Sequence, residues 1–358
     1  MPHLTPARLT AANAPLWSGA DLTTADYTVT LDGPQVAEVA DATETACQAL
    51  TDRDMTFDRR IHREDFPLPT VSAVLEAAAH QVAGGRGFAV VRGLPVNALT
   101  ESAAAIMIRG LVTHLAPIAT QSRDGHLIRH VRSTGRPLGD TVTRGHQTRE
   151  RLWFHTDGAD AAVLLCRRAA ASGGLSRLAA AGTVHNAMLA QHPSAVAELY
   201  ERFHFHMAGG HVPGLPATFI SPVFSMYHGR FSVRYVRHTL LETPQITGVP
   251  LPAQALAAFD LIETAADEHS VDMELRAGDL QVVNNHTVLH SRTAYTDPAD
   301  PGLARHLLRS WLTFDTYAGR RPGAIDEGLR YGWLTDDLQH ELARDWTAPG
   351  APTSVTGG

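Results

Sequence analysis

The chain has no lysine: all 30 basic side chains among its 358 residues are arginine. That absence excludes Schiff-base chemistry, an anchored pyridoxal phosphate, a Walker-A phosphate loop and a kinase site, each of which needs an ε-amino group at a fixed place. Arginine does not substitute, because it stays protonated in proteins. Cysteine is nearly absent as well. Cys47 and Cys166 stand far apart with no CxxC, so neither a disulfide framework nor a thiolate zinc site is indicated, and both read as reduced, buried thiols. No run approaches the roughly 18 apolar residues of a membrane span, and the opening MPHLTPARLTAANAPLW has no apolar stretch of signal-peptide length. A soluble, cytoplasmic protein is expected. The net charge is −7 and the arginines are scattered, so there is no basic stripe for nucleic acid. Neither nucleic acid nor a membrane is an expected partner.

What is abundant is histidine, with 20 in a chain whose charged residues make up only 19%. Histidine is the commonest metal ligand and general base, so metal or acid–base chemistry is indicated. Hydrophobic residues at 44% can bury a sizeable core. Residues 1–66 read as an N-terminal extension with one helix, Pro34 to Leu50. A helix from Thr70 to Ala83 ends at Gly84 and Gly85, a strand spans Gly87 to Pro95, and Thr100 caps a further helix that stops before Pro117. From about residue 120 the texture is that of an all-β region. Candidate strands are His126 to Val131, Ala162 to Arg167, Pro222 to Tyr227, Phe231 to Val236, Val271 to Leu275, Leu280 to Val283, Val288 to Arg292 and Arg305 to Phe314. Helices interrupt them at Gly182 to Tyr200, broken near Pro193, and at Pro252 to Glu268. The expected class is mainly β with flanking helices, a sandwich or jelly roll occupying residues 67–346 as one domain, followed by a disordered tail at 347–358.

The segment from Leu152 to Gly158, LWFHTDG, places His155 and Asp157 at the end of an apolar strand. Residues i and i+2 of a strand share a face, so one imidazole nitrogen and one carboxylate oxygen can meet a single ion while Thr156 points away. Alone, the same tripeptide fits a surface histidine beside a turn aspartate. A second segment, GDLQVVNNHTVLHSRTAY from Gly278 to Tyr295, offers His290 as a third ligand. Two histidines and a carboxylate on one face of an octahedral ion leave three positions open, as in non-haem Fe(II) oxygenases, whereas structural zinc takes four protein ligands. His286 competes within the same segment. On a helix it would stand one turn from His290; on a strand, which Thr287 and Val288 favour, the two are about 13 Å apart and cannot share an ion.

These motifs resemble the TauD/TfdA (taurine dioxygenase and clavaminate synthase-like) family of Fe(II)/2-oxoglutarate-dependent dioxygenases. The resemblance covers roughly residues 85 to 316 through GFAVVRGLPV, RLWFHTDGAD, AVLLCRRAAASGGLSR, FSVRYVR, GDLQVVNNHTVLHSRTAY and RHLLRSWL, in the family's order. It implies a double-stranded β-helix (jelly-roll) core, with His155, Asp157 and His290 as iron ligands. It also implies that Arg305 anchors the distal carboxylate of 2-oxoglutarate, that the Ser176 hydroxyl helps hold that cosubstrate, and that O2 is the oxidant. His286 is left with a structural hydrogen-bonding role. The implied reaction converts 2-oxoglutarate to succinate and CO2 while oxidising a C–H bond of a small molecule. Hydroxylation is expected, with desaturation or ring formation as alternatives. Asp157 separates the chain from related halogenases, in which a small residue replaces the carboxylate.

Elementary chemistry agrees with several of these roles. Arg305 follows His290 by one strand, a turn through Asp297 to Gly302 and a return strand, which would bring the two side by side. A planar guanidinium holds a carboxylate in bidentate fashion. Arg309 shares the facing of Arg305 and reads either as a contact to a substrate anion or as a cross-strand ion pair. Arg234 and His130 are further candidates for substrate contact, and the expected substrate is a small anionic or amino-acid-like molecule. Two other classes stay open: a zinc hydrolase or lyase using the same three ligands, and a metal-free binding module on the same fold.

Overall fold

Strand alternation decides how the β segments stack. In a computed structural model the described residues are 6–52, 61–119, 121, 126–136, 145–206, 217–227 and 229–314, so the expected tail at 347–358 lies outside them. Seven strands build the centre: β1 (Phe88–Arg92), β2 (Leu152–His155), β3 (Ala161–Arg168), β4 (Ser176–Ala180), β5 (Leu280–Asn284), β6 (Val288–Arg292) and β7 (His306–Leu312). The larger sheet runs Thr28–Thr30, β1, β5, β3, β7, Ile118–Ala119, with Arg129–Val131 also paired to β7. Its Thr28–Thr30 edge is parallel to β1, and its other pairings are antiparallel. The smaller sheet runs Val271–Met273, β4, β6, β2.

The two sheets face each other across an apolar layer. Phe88, Val90 and Val283 from the larger sheet pack against Leu178, Val271, Met273 and Val288 from the smaller one. Successive side chains on a strand point to opposite faces. Ala89, Val91, Val163, Leu165, Val282 and Leu308 therefore point outward, into a core shared with the helices Gly33–Asp52, Val71–Gly84 and Glu101–Val112. The middle helix shows why it docks there. Val71, Leu75, Ala78 and Val82 are buried at the three-to-four spacing of a single helical stripe. Thr100 caps the last of the three by accepting a hydrogen bond from the Ala103 amide. Behind the smaller sheet, Ala181–Gln191, Pro193–Leu199 and Ala253–His269 form a second core around Phe154 and Leu289. The break anticipated at Pro193 is present.

Several expected boundaries differ. The strand read from Pro222 to Tyr227 is two strands, Thr218–Pro222 and Phe224–Tyr227. The strand read to Val236 stops at Val233, because Val236 instead bridges His155 and begins the helix Arg237–Thr247. Pro244 inside that helix hides it from a propensity reading. The return strand bearing Arg309 does not lie beside β6: the chain crosses between the sheets after Tyr295–Thr296, so β7 faces β6 rather than pairing with it. No helix of the described residues is long and apolar enough to cross a membrane.

One buried ion pair fixes the end of the central β1–β5 pairing. Asp279 has no exposed surface and accepts two hydrogen bonds from the Arg92 guanidinium, at 2.8 and 2.7 Å, plus one from the Arg276 amide at 2.9 Å. Removing the cation strands a buried carboxylate. Arg92→Ala is expected to lower unfolding stability by about 3 kcal/mol, measured from the urea midpoint.

Candidate active site

The site is made by one register. In the smaller sheet β2 and β6 are antiparallel, and His290 lies directly opposite His155. Their ring centroids are 4.3 Å apart. Asp157, two residues beyond the end of β2, turns back so that its Oδ2 is 4.0 Å from His290 Nε2. Ligand atoms of all three side chains lie within 4.8 Å of one another. His155 Nδ1 is 2.8 Å from the Trp153 carbonyl and donates to it, which leaves the Nε2 lone pair for an ion. Burial pushes His155 below the usual histidine range, and burial together with the neighbouring His155 pushes His290 down to about 3, which favours the neutral imidazole that a metal requires.

Asp157 is the most heavily supported member. Burial alone would raise its pKa, but Arg309, His290, His155 and the Trp311 indole together hold it well below the usual carboxylate range. Arg309 Nη1 is 3.1 Å from both carboxylate oxygens, and Trp311 Nε1 donates to Oδ2 at 3.0 Å. Both come from β7 of the facing sheet. The Asp157 amide donates to Asn285, and the Asp157 carbonyl accepts from Arg234 Nη1 at 2.7 Å. The two arginines nominated for a substrate anion thus both hold Asp157, one by its carboxylate and one by its backbone.

His286 is excluded as a ligand by its own partners. It sits in the turn between β5 and β6, with Nε2 2.8 Å from Asp160 Oδ1 and Nδ1 2.9 Å from the Ser232 hydroxyl. Both nitrogens are spent, and His286 stands in a turn rather than on the strand expected for it. At the opposite end of the inter-sheet space, the Ser176 hydroxyl donates to Gln281 across the sheets. Arg305 is 5% exposed and lies 5.0 Å from the Tyr295 ring centroid, and its Nη1 has no hydrogen-bond partner among the described residues. Gly174, at φ +70°, lets the backbone pass close to this guanidinium: a Cβ there would meet Arg305 Nε at 3.1 Å. A buried guanidinium without an ion pair is costly, so this end of the space fits an anion that the described residues do not supply.

A family model described as "Taurine catabolism dioxygenase TauD, TfdA family" matches residues 51–311. The chain belongs to this family. This TauD/TfdA-family chain is 30% identical over 308 residues to FR-33289 synthase of Streptomyces rubellomurinus, a match covering 84% of the chain and 89% of the relative. It is 26% identical over 341 residues to a taurine hydroxylase-like protein of Stachybotrys chartarum, covering 92% and 85% respectively. Among solved structures it resembles an asparagine oxygenase in complex with Fe(II), 2S,3S-3-hydroxyasparagine and succinate. That match has a TM-score of 0.60 and 21% identity, and covers 80% of this chain and 93% of the other. A non-haem iron oxygenase in complex with Fe, succinate and (3S)-hydroxy-L-Arg matches with a TM-score of 0.57 and 16% identity, over 80% and 94%. The enzyme therefore shares its fold with iron oxygenases.

His130 does not join the triad. It pairs in register with Leu308, whose side chain is in the helix-facing core, and so projects from the opposite face of the larger sheet to Arg309. There its Nδ1 lies 2.9 Å from His306 and 3.3 Å from Glu101. These three also hold ligand atoms within 4.8 Å of one another. However, Arg132 is 3.2 Å from Glu101 and Arg167 is 3.1 Å from His306, so guanidiniums already occupy the positions from which a cation would be stabilised. The triad on the inner face is the better donor set.

Four supporting residues were not singled out in the sequence. Trp311 follows Arg309 by two on a strand, a spacing that puts it on the same face. Asn285 and Asp160 sit inside motifs already noticed. Glu263 carries no such signal, yet on the helix Ala253–His269 its carboxylate accepts the Phe154 amide at 3.1 Å, next to His155. Burial raises it to about 7. A carboxyl with a raised folded pKa favours folding while protonated, so this contribution is lost as pH rises from about 4.5 through 7. Glu263→Gln should remove that loss and stabilise the protein at pH 8 by on the order of 3 kcal/mol, with little change at pH 4, as read from melting temperatures. Trp311→Phe, which deletes one hydrogen bond to Asp157, is expected to weaken divalent-metal affinity about 10-fold in a competition titration with a chromogenic chelator.

Proposed function

We propose that the enzyme is a non-haem Fe(II)/2-oxoglutarate-dependent oxygenase in which His155, Asp157 and His290 hold the iron, and Arg305 and Ser176 hold the cosubstrate. The observation that carries this reading is the cross-strand His155–His290 pair with Asp157 alongside, facing an unpaired buried guanidinium at the far end of the same inter-sheet space. The two facing sheets are read as a jelly-roll core. With iron bound, 2-oxoglutarate and O2 supply the oxidising chemistry: the cosubstrate leaves as succinate and CO2, and a C–H bond of a small molecule is hydroxylated.

The chain's own residues set the geometry. The Trp153 carbonyl fixes the His155 tautomer, and Arg309 and Trp311 fix the Asp157 carboxylate so that it presents one face toward both imidazoles. Burial lowers the pKa of both histidines, which favours the neutral form that binds a metal. Arg305 recognises the distal carboxylate by charge and by the planarity of its fork. A three-ligand site leaves open positions, which favours this reading over structural zinc. The buried Arg305 guanidinium with its free Nη1 favours it over a zinc hydrolase, which has no use for such an anion site, and over a metal-free binding module.

For the substrate, an amino acid or a related small polar molecule is proposed. The asparagine oxygenase and the hydroxyarginine-bound oxygenase support this by the products named with them. Recognition of a substrate anion by Arg309 is less well supported, since Asp157 already engages that guanidinium. A titration with Fe(II) and 2-oxoglutarate under anaerobic conditions tests the reading. A visible metal-to-ligand charge-transfer band should appear in the wild type and be absent from Asp157→Ala. No band in the wild type would overturn the assignment.

A further inference from the structure

Arg305 is not the only buried guanidinium at the cosubstrate end of the site. Arg292, the last residue of β6, shares its inward face with Val288 and His290, and it is likewise 5% exposed. It lies 4.8 Å from the Tyr295 ring centroid, as Arg305 lies 5.0 Å from the same ring. One of its nitrogens, Nη2, donates to the Glu150 carbonyl. Its Nε and Nη1 are buried and have no hydrogen-bond partner among the described residues, and nor does Arg305 Nη1. Neither arginine has a carboxylate within ion-pair distance among those residues. Asp297, on the turn before Arg305, is taken by Arg149 at 2.9 Å and by the Arg305 amide, and Asp300 caps the Pro301–Leu303 turn by accepting the Gly302 amide.

Two adjacent guanidiniums stripped of water and lacking a counter-ion repel each other and lose hydration without compensation. A single carboxylate accepting from both forks would relieve both costs, since each of its two oxygens can take more than one N–H. The location fits the cosubstrate. Arg292 is two residues, about 7 Å of strand, beyond His290 on the same face, the scale of a five-carbon dicarboxylate whose other end is at the metal. Ser176, the hydroxyl already placed at the cosubstrate, is the residue paired with Arg292 on β4.

We propose that Arg292 is a second clamp for the distal carboxylate of 2-oxoglutarate, acting with Arg305 from the facing side of the inter-sheet space. The inference deepens the function proposed above and rests on it. Arg292 then selects for a dicarboxylic keto acid over a monocarboxylic one, and its free N–H groups are a binding element rather than a packing defect.

Calorimetric titration of the full-length protein loaded with Zn(II) in place of iron separates this role from a structural one without using turnover. The probes are 2-oxoglutarate and 2-oxopentanoate, which has the same five carbons but ends in a methyl group. Arg292→Gln is expected to weaken 2-oxoglutarate at least 10-fold and to leave 2-oxopentanoate within twofold. Arg292→Lys, which keeps the charge and a donor for the Glu150 carbonyl, should give an intermediate loss confined to 2-oxoglutarate, and it serves if the Gln variant does not fold. Equal losses for both keto acids, or no loss for either, would assign Arg292 to structure alone, provided that Arg305→Ala still discriminates between the probes. If Arg305→Ala fails to discriminate as well, the cosubstrate reading of the whole pocket falls with it.

Discussion

The antiparallel pairing of β2 with β6 is the constraint on which the rest depends. It sets His155 opposite His290, although they are widely separated in the chain, and its register cannot slip by one residue without turning one imidazole away from the other. Much of the surrounding structure secures that register. The Ser291 hydroxyl bonds the Leu152 carbonyl, Glu263 holds the Phe154 amide, and the turn before β6 is tied down by Asp160 and Ser232 through His286. A polar site between two apolar sheets thus rests on hydrogen bonds made just behind it.

The second organising principle is division of labour between the sheets. The smaller sheet carries the two histidines and Arg292, and the larger one carries Arg309 and Trp311, with Arg305 just before its strand. Asp157, on the connection from β2 to β3, is gripped by the larger sheet's side chains while its histidine partners come from the smaller. The distance between the sheets is therefore also the distance between ligand and support. It is set by Phe88, Val90, Leu178, Val283 and Val288, none of which touches the chemistry.

The triad was legible because its residues lie in local motifs whose strand period is visible in the sequence, and the helices with clean apolar stripes were legible for the same reason. What could not be read was which sheet each strand joins. Arg305 looked like a neighbour of His290 because a short connection usually returns to the adjacent strand, and a crossover between facing sheets leaves no periodic trace. The same gap left the face of His130 open: its strand was foreseen, but its face depended on a register with β7 that only tertiary structure fixes. For Arg309 the sequence left a substrate anion and a cross-strand ion pair both open, since a guanidinium suits either, and the structure shows it paired with Asp157.

The grip of Arg309 and Trp311 on Asp157 bears on how the enzyme is assembled. In zinc fingers the ligands have nothing to hold them apart from the metal, and the domain melts when it is removed. Here the only charged ligand is already neutralised and oriented by the protein, and the two imidazoles are uncharged. On the proposed ligand assignment, these side chains would be ordered by the protein before any ion arrives, so withdrawal of the ion would leave the scaffold standing.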